Sequence, residues 1–239
     1  MQIIGLALLA FVVWYGFADR SADHAKAISA FDSHAMVMVL VGSLAAVLVS
    51  SSTRTTLRTF LSLRELIPGL RFFGRKTEAM EKEREEVFNL WREGKRAQAV
   101  GVAEKSQSAA VKKMAELILS RAPEAASAKA FTELRHEEIG TWQPAIHNWE
   151  MLSKLGPAFG MVGTITGMVQ LFRSMNSDNL NIGAAMSLAL LAALYGVAFG
   201  AGVAGPISNY LNGLLDERLG FLERCQMSVN EIVSRGSEG

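Results

Sequence analysis

The sequence predicts an all-α integral membrane protein. It has four transmembrane helices and a helical cytoplasmic domain between the second and third, with helices three and four extended into the cytoplasm. Three observations predict this. Charge is segregated: residues 1–18, 33–53, 155–172 and 179–215 carry no Asp, Glu, Lys or Arg, whereas 52–154 holds 32 of the 47 such residues. The uncharged windows approach or exceed the roughly 20 apolar residues that a spanning helix requires. The segment between the second and third is dominated by Ala, Glu, Lys, Arg and Leu and lacks β-branched runs, which favours helix.

The expected spans are about 2–18, 34–51, 155–173 and 183–207. Lys and Arg mark the cytoplasmic side of a membrane protein. The 52–154 link and the tail from 208 together hold 21 of them, and the other side holds three, Arg20, Lys26 and Arg173. Link, tail and both termini are therefore expected in the cytoplasm. The resulting organisation is 1–51 (two spans and a short outer loop), 52–154 (cytoplasmic helical domain), 155–207 (two spans) and 208–239 (cytoplasmic tail). A cleaved signal peptide is the competing reading of 2–18, with Ala25-Lys26-Ala27 as the cleavage site. It is disfavoured because no basic residue precedes the apolar run, which is also long for a signal core.

Residues 54–73 mix Arg54, Arg58, Arg64 and Arg71 with Phe60, Leu61, Leu63, Leu66, Leu70 and Phe72, and Pro68-Gly69 breaks the stretch. Such a basic amphipathic segment just inside a span lies along anionic lipid or packs on the chain's own helices; the pattern fits both. A charged helix over 77–92 follows, with Gly94 as its stop. Helices over 95–105, 107–121 and 124–141 complete the link, with Pro123 at the start of the last. Arg92, Glu93, Lys95 and Arg96 make a charged turn between helices, which reads as a solvated surface or a docking site.

In the third span Gly156, Gly160, Gly163 and Gly167 fall within about 60° of one another at 100° per residue. Ala185, Ala189, Ala193, Gly196, Gly200 and Ala204 form a second small-residue stripe in the fourth. Small residues let helix backbones approach closely in lipid. Pro157 and Pro206 sit near the inner ends of these spans. Pro206 predicts a kink around 202–206, whereas Pro157, read as lying in a first turn, should cost little. Apart from Arg173 at the very end of the third, no Asp, Glu, Lys or Arg lies inside any span, where ion-coupled proteins usually place an ionisable group. Only hydroxyls are present at that depth: Ser43, Thr164, Thr166, Ser187 and Tyr195. A working carboxylate would have to come from another chain.

Other classes are excluded or left without support. A formal charge of +1 makes no case for nucleic acid. One cysteine and four scattered histidines supply neither a disulfide nor metal-ligand spacing. No phosphate loop or nucleophile elbow appears, so no enzyme, cofactor or metal site is expected.

Pro157-Ala-Phe-Gly-Met-Val-Gly-Thr-Ile-Thr-Gly167 closely resembles the third span of MotA and PomA, the A subunits of flagellar stator units. Leu190-Leu-Ala-Ala-Leu-Tyr-Gly196 with Pro206 resembles their fourth span, and Asp32 with Val41-Gly-Ser-Leu-Ala-Ala-Val-Leu48 their second. The resemblance covers about 30–215. TolQ and ExbB belong to the wider family but have one span before the cytoplasmic region, where this chain has two. The resemblance implies a bacterial inner-membrane protein: a pentamer of this chain around two B subunits of MotB or PomB type. Each B chain would supply one helix with an essential Asp. Ion flow would turn the A ring, and the cytoplasmic helices would drive the rotor protein FliG.

By residue match, Pro157 and Pro206 are the prolines tied to conformational change. Thr164, Gly160, Gly163, Gly167, Ala193 and Gly196 line the ion path and B-subunit interface. Arg92 matches the arginine of the rotor-facing turn, with Glu93, Lys95 and Arg96 beside it; Glu104 is nearest to the family's acidic partner residue but displaced. Sodium-type units carry threonines in both spans. Here Thr164 matches the first, while Ala192 and Ala193 replace the second, so protons are expected in preference to sodium. The alternative function is a TolQ/ExbB-like or gliding-type energiser acting on an envelope partner. A packing scaffold without transport would leave the proline pair unexplained.

Overall fold

The structure is a computed structural model that describes residues 33–66, 73–174 and 182–237. The first expected span, most of both outer loops and the Pro68-Gly69 break lie outside the described residues. Those described form helices and short connections: α1 (Ser33–Ser50), α2 (Thr53–Leu61), a 3-10 turn (Ser62–Leu66), α3 (Phe73–Arg92), α4 (Arg96–Lys105), α5 (Ala109–Leu119), α6 (Glu124–Ser174) and α7 (Ile182–Phe199). A π-helical turn (Gly200–Ala204) then leads into α8 (Gly205–Ser237). Among the described residues three helical stretches are long and apolar enough to cross a membrane: Ser33–Ser50, Glu124–Arg173 and Met186–Arg235.

The helix ends follow local chemistry. Gly94 closes α3 at φ +80°, and the Lys95 N–H donates back to the Leu90 carbonyl. That left-handed turn suits glycine because it has no Cβ. The same closure ends α5, but Arg121 occupies the left-handed position at φ 49°. Side-chain oxygens cap two starts: Ser52 accepts from Thr55 N–H, and Ser108 from Val111 N–H. The Pro123 carbonyl accepts the first backbone bonds of α6.

Helix α6 is long, as the expected extension of the third helix requires. It runs unbroken through Pro144 and Pro157 for 51 residues, so the segment expected as a helix of its own over 124–141 is part of it. The change from charged to apolar composition marks a change of surroundings, not an end of hydrogen bonding. Pro157 is therefore deep inside a helix, not in a first turn.

The chain divides into two compact units. One comprises residues up to Leu66 together with Pro144–Tyr210; α1 packs there on α7 through Ala35, Val39, Leu188, Leu191 and Ala192, with Tyr195 alongside. The other comprises Ile67–Gln143 and Leu211–Gly239. Its core joins Val87 of α3, Ala99 and Ala103 of α4, Val111 and Met114 of α5, Phe131 of α6 and Phe221, Cys225 and Val229 of α8. Arg84 donates to Glu81 and to the Ser228 hydroxyl at 2.9 Å each, tying α3 to α8 at the edge of this core.

Burial pushes the Cys225 thiol up to about 12, with Arg84 and Arg224 pulling it down and Glu81 adding to the rise. The thiolate is the reactive form. Cys225 should therefore resist N-ethylmaleimide at pH 8 on a timescale that consumes free glutathione, and react at once in guanidinium chloride. Mass spectrometry of the labelled protein measures both, and rapid labelling of the native chain would contradict this packing.

Candidate functional site

The glycine stripe of α6 meets the small-residue stripe of α7 at backbone-to-backbone range. A Cβ built on Gly156 would stand 2.8 Å from the Gly196 carbonyl oxygen and 3.0 Å from the Gly200 Cα. One on Gly160 would stand 2.9 Å from the Ala192 carbonyl oxygen and 3.3 Å from both the Ala193 and Gly196 Cα atoms. One on Gly163 would collide with the Ala192 methyl group, and one on Gly196 would lie 2.6 Å from the Gly156 carbonyl oxygen. Gly167 continues the stripe and is buried. Backbones this close exclude any larger side chain, so the pair is held by dispersion contact along its length.

A hydroxyl bridges the same seam. Thr164 Oγ1 lies 3.1 Å from the Gly160 carbonyl oxygen on its own helix and 3.1 Å from the Ala189 carbonyl oxygen on α7. One proton serves two acceptors, and the oxygen keeps its lone pairs. Thr166, on an exposed face, donates within α6 to Val162 at 2.8 Å, and buried Ser43 donates within α1 to Val39 at 2.7 Å.

The two prolines, read separately in the sequence, belong to one structural feature. Pro157 cannot donate to the Ser153 carbonyl. A Cβ at Gly200 would sit 2.5 Å from the Pro157 Cδ and 2.6 Å from that Ser153 oxygen. Gly200 is therefore the residue against which the proline ring and the released carbonyl pack. It also begins the π-helical turn, in which the Gly205 N–H donates to the Gly200 carbonyl. The wider turn absorbs the clash that Pro206 would otherwise make with the Gly202 carbonyl. The expected irregularity at 202–206 is thus a π turn over 200–204, directly facing Pro157.

The charged turn is elsewhere. Arg92, Glu93, Lys95, Arg96 and Glu104 are all exposed. Lys95 Nζ pairs with Glu93 at 2.8 Å. The Arg92 guanidinium lies 5.7 Å from the Phe88 ring centroid, and that of Arg96 lies 5.9 Å from Trp91. Aromatic faces hold both arginines outward without neutralising them. Among the described residues no three His, Cys, Asp or Glu side chains gather to hold a metal.

A polar cluster went unrecognised in the sequence. Asn148 Nδ2 donates to Thr59 Oγ1 at 2.9 Å, Ser51 Oγ donates to Asn148 Oδ1 at 2.6 Å, and Trp149 Nε1 donates to the Thr59 carbonyl at 3.1 Å and to Ser62 Oγ at 3.0 Å. It clips α2 to α6. The run of hydroxyls at 51–53, 55, 56, 59 and 62, unusual in a basic amphipathic helix, was the signal available.

Comparison with known proteins places this architecture. Residues 102–224, about half of the chain, match the profile of the MotA/TolQ/ExbB proton channel family. The chain belongs to that family. A protein named Motility protein A from Aquifex aeolicus is 41% identical over 88 residues, 37% of this chain and 34% of that protein. A protein of the same name from Cereibacter sphaeroides is 36% identical over 105 residues, 44% of this chain and 36% of that one. The matched stretches thus span about a third of these relatives. The fold is similar to that in the structure of C. jejuni MotAB, with TM-score 0.77 at 11% identity over 98% of this chain and 89% of that one. It is also similar to that in the flagellar MotAB stator complex from Bacillus subtilis, with TM-score 0.72 at 18% identity over 97% and 88%.

The α6–α7 contact gives a sharp expectation for this family member. Gly196→Ala forces a methyl group against the backbone of α6 and should destabilise the protein by about 1–3 kcal/mol. Gly101→Ala, where nothing lies within 4 Å, should be neutral or stabilise by about 0.5–1 kcal/mol. Thermal unfolding of both variants in detergent tests the contrast, and equal melting temperatures would contradict it.

Proposed function

We propose that the chain is the A subunit of a flagellar stator unit in the bacterial inner membrane, with both termini cytoplasmic. It forms a ring, expected to be a pentamer, around a MotB- or PomB-like dimer. The observation that carries this reading is the tightly packed seam of α6 and α7, which has no carboxylate from Leu155 to Ser174 of α6 or anywhere in α7. It has the helices and the hydroxyl of an ion path but lacks the group that takes up the ion. A B-subunit Asp supplies that group, and the stripe of Gly160, Gly163, Gly167, Ala193 and Gly196 is the seam it works against. The relatives named Motility protein A and the likeness to MotAB structures support the same reading.

Protonation of that Asp removes a charge and alters what the seam must accommodate. The Pro157–Gly200–π-turn feature is where α6 and α7 lack regular backbone bonds, so bending there costs least. Small changes at the acid would become helix bending at that level. The exposed Arg92–Arg96 turn, with Glu104, then meets the rotor protein FliG. Protons are favoured over sodium because, among the described residues, Thr164 is the one whose side-chain oxygen bridges the seam, while Ala192 and Ala193 offer none. Sodium needs several oxygens to replace its water shell, whereas a proton needs only the carboxylate and a water path. The family profile also embraces TolQ and ExbB, and an envelope energiser is the second reading. A TonB- or TolA-like partner purifying with the chain in place of a B subunit would favour it.

Pro157→Ala should abolish swimming while leaving membrane insertion and B-subunit co-purification intact, as measured by tracking cells and by affinity isolation. Arg92→Glu should cut swimming speed several-fold with assembly unchanged. Replacing sodium by potassium in the medium should leave speed unaltered; an immediate stop would overturn the proton assignment.

A further inference from the structure

Helix α2 is oriented against the usual rule for a soluble protein. Thr55, Thr59 and Ser62 share one side, and Thr59 and Ser62 are buried in the Asn148–Trp149 cluster. Arg54, Leu57, Arg58 and Leu61 share another face and are exposed, with Phe60 on its flank. Leu57 is 62% exposed, Phe60 46% and Leu61 47%. A helix packing for burial alone would turn these three inward. This one turns its hydroxyls inward and presents leucines, a phenylalanine and arginines together.

We propose that this outward face of α2 binds the anionic phospholipids of the adjoining leaflet, with arginine guanidinium groups on headgroup phosphates and Leu57, Phe60 and Leu61 among the upper acyl chains. Three observations favour lipid as the occupant. Helix α2 begins three residues after α1 ends, and α1 is uncharged and apolar enough to span. Apolar side chains are exposed on both sides of the junction, since Val41, Leu48 and Val49 of α1 are exposed as well. From 33 to 66 the charged residues are Arg54, Arg58 and Arg64, all exposed, and Glu65, which is buried, so the exposed charge is basic. Guanidinium groups match phosphate oxygens in a two-pronged geometry, and mixed arginine and apolar side chains suit the headgroup boundary.

The inward face gives this binding a consequence. Asn148 and Trp149 fix α2 to α6, and Pro157 follows Trp149 by eight residues on the same helix. A headgroup-bound α2 sets the depth of α6 in the bilayer just ahead of its proline. The inference rests on reading α1 and α6 as spanning helices and not on the motor assignment.

The test uses the full chain carrying Cys225→Ala and Leu57→Cys, labelled with an environment-sensitive fluorophore. It is reconstituted into vesicles of phosphatidylcholine alone or mixed with phosphatidylglycerol. The label should be quenched by nitroxides at headgroup depth, and phosphatidylglycerol should be enriched over phosphatidylcholine among lipids retained after mild detergent extraction. Replacing Arg54, Arg58 and Arg64 by Gln should lower that enrichment by about fivefold per arginine at low salt. Equal retention of the two lipids, or a label shielded from nitroxide and cross-linkable to a second copy of the chain, would overturn the proposal. Swimming is not measured, so such a failure leaves the stator reading untouched.

Discussion

The seam between α6 and α7 is a contact that tolerates almost no change of side chain. Its helices meet through backbone atoms, not side chains. In an apolar environment there is little hydrophobic gain from pairing two helices, so close van der Waals approach must supply the attraction. Gly156, Gly160, Gly163 and Gly196 permit that approach because each stands where a methyl group would meet a carbonyl oxygen, a Cα or a packed methyl. Thr164 adds a hydrogen bond across the seam without a bulky side chain. The same closeness dictates which residues face Pro157, since only a glycine fits between its ring and the Ser153 carbonyl.

Rigidity and softness are thus set side by side. From Gly156 to Gly163 α6 packs against α7 at backbone range. At the level of Pro157 and Gly200 one helix lacks a donor and the other widens into a π turn. Two adjacent interruptions make one compliant level in an otherwise stiff pair. On the proposed stator reading, such a level is where a charge change on a partner chain would be taken up, because close-packed helices bend poorly elsewhere. The other unit solves a different problem: it buries an ordinary core around Met114, Phe131 and Phe221 and leaves its arginine turn outside.

Much was legible in the chain alone. The absence of charge over whole windows identifies apolar helices, because a buried charge in lipid is costly whatever the fold. Glycine spacing on α6 and alanine spacing on α7 predict facing stripes, because the helical repeat is fixed by backbone geometry. The Gly94 turn follows from φ space, and the exposed Arg92–Arg96 turn from local charge. Each is a local property that a neighbour cannot easily override.

Tertiary structure decided what depends on neighbours. It showed that α6 passes through Pro144 and Pro157 without a break, because a proline costs one donor and a helix that long has packing enough to bear the loss. Pro157 and Pro206 proved to flank a single π turn, which sequence distance hides. The structure also turned the hydroxyls of α2 toward Asn148 and Trp149 and its leucines outward. Composition by itself determined that α2 is amphipathic, but which face is buried depends on the partner across the gap, and here that partner is polar.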